Sequence, residues 1–172
     1  MGISDPTNKP WTAEKIAELS PSTILDCGAG AGIYLSLIRE KLGKEAHVTA
    51  LEIWRPYIDE FNIESRYDAL VEEDLRNVDN FNYDLVILGD IVEHLTEADA
   101  IKVWDKISKQ AKYAIISIPI VHYHQGAENG NPYEIHLEED WSTSRVLEKF
   151  SHIVEYKEFR FTGVFIAKFD KE

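Results

Sequence analysis

Thr23-Ile24-Leu25-Asp26-Cys27, a run of strand character, leads directly into Gly28-Ala29-Gly30-Ala31-Gly32, and a segment of helical period begins at Ile33. A strand that becomes a helix through three closely spaced glycines is a βα unit. Its backbone is free to adopt conformations that a Cβ would forbid, and the helix N-terminus points unpaired N–H groups outward. Such a unit steers the chain toward an α/β architecture, because parallel strands need a crossover, usually helical, to reach one another.

The rest of the sequence repeats that alternation. Further strands are predicted over residues 47–53, 67–71, 83–88 and 113–118, and helices over 11–19 (Thr12 as N-cap), 33–42 (stopped at Gly43), 55–61, 98–110 and 139–150. The apolar run 85–88 suits a central strand buried on both faces. Residues 153–161 and 164–169 read as a hairpin joined near Thr162-Gly163. The expected fold is a single α/β domain over residues 1–172: a seven-stranded, mostly parallel sheet, helices on both faces, and a C-terminal antiparallel hairpin. Residues 1–10, with Gly2, Pro6 and Pro10, read as an irregular arm. Residues 120–138 lack any period, and a loop of that length in a compact domain is usually functional, here a substrate or lid loop.

Charge narrows the partners. With 18 Lys+Arg against 31 Asp+Glu in 172 residues, the net charge is −13, which repels phosphate backbones and anionic membranes and favours a small-molecule acceptor over nucleic acid. Cys27 is the single cysteine, so no internal disulfide forms, and no apolar run approaches the ~20 residues of a membrane span. The expected location is the reducing cytoplasm.

The glycine turn departs from the dinucleotide fingerprint, since Gly-x-Gly-x-x-Gly counted from Gly28 puts Ile33 where the third glycine belongs. Asp26, just ahead of the turn, would repel a pyrophosphate and suits a ligand ending in a cationic amino acid. Ile24-Leu25-Asp26-Cys27-Gly28-Ala29-Gly30-Ala31-Gly32 resembles the first motif of class I S-adenosylmethionine (SAM) dependent methyltransferases, a Rossmann-like family. Glu52, Glu73-Asp74-Leu75 and Tyr83-Asp84-Leu85-Val86-Ile87-Leu88-Gly89-Asp90 follow in that family's order. The resemblance implies SAM as cofactor. It places Asp26, Gly28, Gly30 and Gly32 along the methionine end and Glu52 on the ribose hydroxyls, with Ile53 beside it. Asp74 and the Leu75 N–H fall on adenine, and Asp90 near the methionine.

Asp90-Ile91-Val92-Glu93-His94 begins where the fourth strand ends. Spacings of three and four would put Asp90, Glu93 and His94 on one helical face, and Asp90 with Glu93 equally reads as a capping box. The segment is similar to the acid-x-x-Glu-His stretch of small-RNA terminal 2′-O-methyltransferases and ubiquinone-pathway O-methyltransferases. That similarity implies a divalent metal ion held by Asp90, Glu93, His94 and the downstream His136. This chain differs in having Asp90 as the first acid and Pro119-Ile120 where the RNA enzymes tend to have Pro-Asn. His122 and His124, if extended, point the same way and join His94 as candidate catalytic bases; the alternative is two solvated loop histidines. The expected activity is SAM-dependent methylation of a small-molecule hydroxyl. RNA or protein methylation, or a SAM-binding partner subunit without turnover, are the alternatives.

Overall fold

The computed structural model describes residues 6–170, so the first half of the expected arm lies outside the described residues. Seven strands form one sheet: β1 (Thr23–Cys27), β2 (His47–Leu51), β3 (Ala69–Val71), β4 (Leu85–Gly89), β5 (Tyr113–Pro119), β6 (Ile153–Glu158) and β7 (Thr162–Lys168). Their order is β3-β2-β1-β4-β5-β7-β6, with β1 to β5 parallel and β7 antiparallel to both neighbours. The helices are α1 (Lys9–Leu19), α2 (Ile33–Leu42), α3 (Arg55–Glu60), α4 (Ile63–Arg66), α5 (Glu97–Gln110) and α6 (Thr143–Lys149). One core layer joins Ile16, Tyr34, Ile38, Ile58 and Ile63 to the sheet, and the other joins Val103, Trp104, Ile107, Val146 and Phe150 to its opposite face. The sheet is therefore covered on both sides. Its order reverses between β1 and β4, which opens a crevice at their carboxyl ends.

Several boundaries move for local reasons. The helix begins at Lys9, two residues before Trp11, because Pro10 needs no helical donor in the first turn. A 3₁₀ turn over Pro6–Asn8 precedes it, so this part of the arm is ordered structure. Thr12 lies inside the helix, its hydroxyl donating to the Asn8 carbonyl at 2.9 Å, and does not cap it. α6 starts only at Thr143, where Ser142 accepts from the Arg145 N–H; residue 139 instead pairs with the loop, its carbonyl accepting from the Tyr123 N–H. Gly163 belongs to β7 and not to the turn, pairing with Ile118 and Glu158, and a Cβ there would lie 2.6 Å from the Phe165 ring. The reversal falls just before it, where the Phe159 N–H donates to the Thr162 carbonyl.

Two buried contacts set the crevice's walls. The Tyr34 ring of α2 lies across Gly89 at the end of β4, so close that a Cβ on Gly89 would sit 2.0 Å from it. Asp26, 1% exposed on β1, accepts a 2.6 Å hydrogen bond from the Tyr67 hydroxyl. Burial pushes its carboxyl up to about 7, against the lowering effect of Tyr67.

Gly89→Ala is expected to destabilise the protein by about 2–3 kcal/mol in chemical denaturation, because Tyr34 has no room to yield. Asp26 binds a proton more tightly folded than unfolded, so its contribution to stability is present below about pH 4 and fades as pH rises toward about 7. The free energy of unfolding measured across that range should fall less steeply with pH in Asp26→Asn than in the parent; identical slopes would contradict the assignment.

Candidate active site

The loops at the carboxyl ends of β1 through β5 converge on an open cleft. The glycine turn forms one end. Gly28, Gly30 and Gly32 have φ of +72°, +46° and +74°, and a Cβ on Gly28 would meet the Ile91 side chain at 2.8 Å. Gly28 and Gly30 line the cleft, whereas Gly32 sits at the N-cap of α2 behind them. The Gly30 N–H donates to Glu52 Oε2 at 3.0 Å and the Trp54 N–H to Oε1 at 2.9 Å. Glu52 thereby ties the end of β2 to the turn after β1. Its carboxyl is pushed above the usual range by burial, and it lines the cleft with Ile53.

Besides Gly32, two residues expected at this end do not line the cleft. Asp26 lies beneath the turn on Tyr67. Asp74 folds back on its own segment: its Oδ1 accepts from the Arg76 N–H at 2.9 Å and both oxygens take the Arg76 guanidinium. Glu73 and Leu75, on either side, face the cleft instead.

The other end is built from the segment after β4 and from the 120–138 loop. The expected α-helical face and capping box are replaced by a 3₁₀ turn over Val92–His94; Ile91 precedes it without a side-chain cap, and Thr96 caps α5 by accepting from the Asp99 N–H. Asp90 sits before the turn at φ +54°. Its Oδ1 accepts from the Ser117 hydroxyl at 2.9 Å and its Oδ2 from Lys9 Nζ at 3.2 Å. Asp90 lines the cleft, but its carboxylate is engaged by α1 and β5 and does not join the histidines.

Glu93, His94 and His136 do come together, their ligating atoms all lying within 4.8 Å of one another. Glu93 is 2% exposed with Oε2 unpartnered; burial, then the Asp90 charge, hold its carboxyl well above the usual range. Burial, then His136, push His94 down to about 4. The His136 Nδ1–H donates to the Tyr123 carbonyl at 2.8 Å, which leaves its Nε2 with the lone pair. The Leu137 and Glu138 N–H groups donate to the Glu93 carbonyl, so the loop is sewn to the turn that carries Glu93.

His122 and His124 face away from the cleft. His122 Nδ1 pairs with Asp140 at 2.8 Å, and His124 Nδ1 with Glu139 at 2.5 Å. The alternation itself holds, but on the opposite phase: Tyr123 and Gln125 point inward, Tyr123 packing on His136 with ring centroids 5.2 Å apart. Lys9 was hidden in the expected arm, yet it is 8% exposed, donates to the Tyr34 hydroxyl at 2.7 Å and pairs with Asp90. Tyr133 and Glu134 are further lining residues, Tyr133 reaching the Trp54 ring across the cleft. Only the polarity and length of the loop hinted at them.

A family model described as a methyltransferase domain matches residues 25–115, from β1 through β5. A search of curated proteins finds no match. The fold is similar to that of the 1,6-didemethyltoxoflavin-N1-methyltransferase of Burkholderia thailandensis, solved with 1,6-didemethyltoxoflavin and S-adenosylhomocysteine. There the TM-score is 0.71 at 18% identity, over 96% of this chain and 79% of that one. A candidate O-methyltransferase of Nostoc punctiforme gives 0.70 at 16% identity, over 94% of this chain and 56% of that one. The mitomycin 7-O-methyltransferase gives 0.65 at 14%, over 94% and 54%. The chain thus spans little more than half the length of two of these proteins. Among the described residues no helix is long and apolar enough to cross a membrane. The family match covers more than half of the sequence and contains the glycine turn, Glu52 and the Glu93–His94 pair, and the chain belongs to the methyltransferase-domain family.

Proposed function

We propose that this chain transfers the methyl group of SAM to a hydroxyl of a small-molecule acceptor. The observation that carries this reading is one continuous cleft with Gly28, Gly30 and Glu52 at one end and Glu93, His94 and His136 at the other. Glycine backbone at a helix N-terminus admits the methionine end closely, and the Glu52 carboxylate accepts the ribose hydroxyls. Leu75 and Glu73 border the adenine end, and Asp26 acts from behind the turn by holding Tyr67. In transfer the S–CH3 bond breaks as the O–CH3 bond forms, the sulfonium becomes a neutral thioether, and the acceptor hydroxyl loses its proton. Alignment of the two reactants is therefore most of the task. His94, held neutral by burial, presents an unprotonated imidazole at that end of the cleft.

The same three side chains suit a divalent cation: one buried carboxylate with an unpartnered oxygen and two neutral imidazoles, His136 oriented by the Tyr123 carbonyl. Glu93, His94 and His136 would hold it, without Asp90, and the ion would supply Lewis acidity toward the acceptor oxygen. An acceptor without phosphate, rather than a nucleic acid, accords with the acidic cleft wall.

Calorimetry should show S-adenosylhomocysteine binding that Glu52→Ala weakens by about 2–4 kcal/mol, the value of two hydrogen bonds to a charged acceptor; unchanged affinity would refute the ribose assignment. For the metal, a chelator should lower turnover without unfolding the protein, and His94→Ala and His136→Ala should each lose the bound ion by elemental analysis. Turnover indifferent to chelation would leave His94 as proton acceptor alone, with activity then retained above about pH 4 and lost as pH falls through that value.

A further inference from the structure

Gln125 lines the cleft, is 6% exposed and takes no part in the chemistry derived above. Its amide is fixed from one end. Nε2 donates to the Glu134 carbonyl at 2.8 Å and to the Glu134 carboxylate at 3.3 Å. Both partners only accept, so the amide nitrogen must face them and the oxygen must face the other way. Oε1 accepts no hydrogen bond from the described residues, yet it is not sealed from solvent as Oε2 of Glu93 is. The loop thus spends the donor half of a buried amide on itself. The acceptor half is left in one fixed orientation, in a residue whose small accessible surface borders the cleft. Backbone contacts put this amide beside the reacting end. The His136 N–H donates to the Gln125 carbonyl at 3.1 Å, and the His136 ring donates through Nδ1 to the carbonyl of Tyr123. Tyr123 and Gln125 share the inward phase of the segment, on either side of the outward-facing His124. Gln125 is therefore bonded directly to the residue that completes the Glu93, His94 and His136 group.

On the proposed reading this end of the cleft receives the methyl acceptor, so a group held here meets the acceptor molecule. We infer that Gln125 is a specificity-determining residue whose Oε1 accepts a hydrogen bond from a second hydroxyl of the acceptor, next to the one that is methylated. The substrates are then uncharged diols. An amide oxygen only accepts, so the group opposite it must donate. A carboxylate or phosphate on the acceptor offers no donor at neutral pH. It would also meet the carboxyl groups of Glu52, Glu73, Asp90, Glu93 and Glu134, with no lysine or arginine among the described lining residues. A lone hydroxyl would occupy the reacting position and leave Oε1 covered by an apolar part of the ligand. Stranding a buried acceptor in that way costs more than a typical hydrogen bond contributes, so the amide rejects the mono-ol more strongly than it attracts the diol.

This inference rests on the SAM reading and is separable from it. Methyl transfer from SAM is to be followed by mass spectrometry on the full chain, with Mn2+ supplied and with matched probes: catechol against phenol, and trans-1,2-cyclohexanediol against cyclohexanol. Binding of S-adenosylhomocysteine is measured alongside by calorimetry. The parent should methylate at least one diol with kcat/KM about 10-fold or more above that of its mono-ol, and the pair it acts on tells an aromatic acceptor from an aliphatic one. Gln125→Met, of similar volume and without the amide, should bring that ratio close to one, the change of about 10-fold coming from the diol. An unchanged ratio in Gln125→Met would overturn the proposal, whether both rates hold or both fall together, since loss of the Nε2 bond to Glu134 disturbs the loop without regard to the acceptor. No transfer to either diol by protein that binds S-adenosylhomocysteine would overturn it as well. Folded parent protein that binds no S-adenosylhomocysteine and transfers no methyl group would overturn the cofactor reading itself.

Discussion

The site depends first on the left-handed backbone of the turn after β1. Positive φ at Gly28, Gly30 and Gly32 lets the chain reverse direction over a few residues without the penalty a Cβ would impose. Each glycine also admits a different neighbour. Gly28 makes room for Ile91 from the segment after β4, Gly30 offers its N–H to Glu52 at the end of β2, and Gly32 leaves space for the Arg66 guanidinium. The guanidinium in turn donates to the Ala31 and Phe61 carbonyls. The turn is thus the point where the loops after three strands meet, and a side chain at Gly28 would push the β4 segment out of register with it. Gly89 performs the corresponding task at the end of β4 by accepting the face of Tyr34.

Charge placement follows from that convergence. Strand ends in a parallel sheet bring acidic residues together whether or not they repel, and the chain deals with each in a different way. Asp26 is buried and hydrogen-bonded to Tyr67, Asp74 is clasped by Arg76, and Asp90 is held between Lys9 and Ser117. Asn8 extends the last network by donating to Ser117 at 3.2 Å and to Thr162 at 2.9 Å, so α1 is tied to β5 and β7 beside the cleft. Among the described residues, the acids that line the cleft without a cationic partner are Glu52, Glu73, Glu93 and Glu134. A buried carboxylate is costly to ionise alone, which is why burial raises Glu52 and Glu93.

The fold was legible because its signals are local. The strand from Thr23 to Cys27, the helix from Ile33 to Leu42 and the Gly43 stop follow from apolar pattern and turn chemistry within a few residues. The Glu93–His94–His136 meeting was legible through resemblance, since no local pattern links residues on either side of β5. Failures came where a long-range partner overrode a local preference. Asp90 resembles a helix cap, but Lys9 and Ser117 claim its oxygens from 81 and 27 residues away. Of the two readings of His122 and His124, the solvated pair holds, because period two gives their relative orientation and not which side meets the core. What decides the side is a pair of acids at the foot of the loop: Glu139 draws His124 outward and Asp140 draws His122.

The 120–138 loop joins the two halves of the cleft mechanically. At its foot, Arg145 of α6 bridges Glu97 and Glu138 at 2.7 and 2.9 Å, and the Glu97 N–H donates to Glu138. Farther along, Tyr123 and His136 stand beside His94, while Tyr133 reaches Trp54 and Asn129 reaches the Tyr57 hydroxyl on the far wall. The foot is held by ion pairs and by two N–H bonds to the Glu93 carbonyl, and the tip by the Tyr133–Trp54 edge contact and by side-chain hydrogen bonding to the Tyr57 hydroxyl. The loop therefore sets the spacing between the two ends of the cleft, with Tyr133 and Asn129 against the wall beside Glu52 and His136 against His94 beside Glu93.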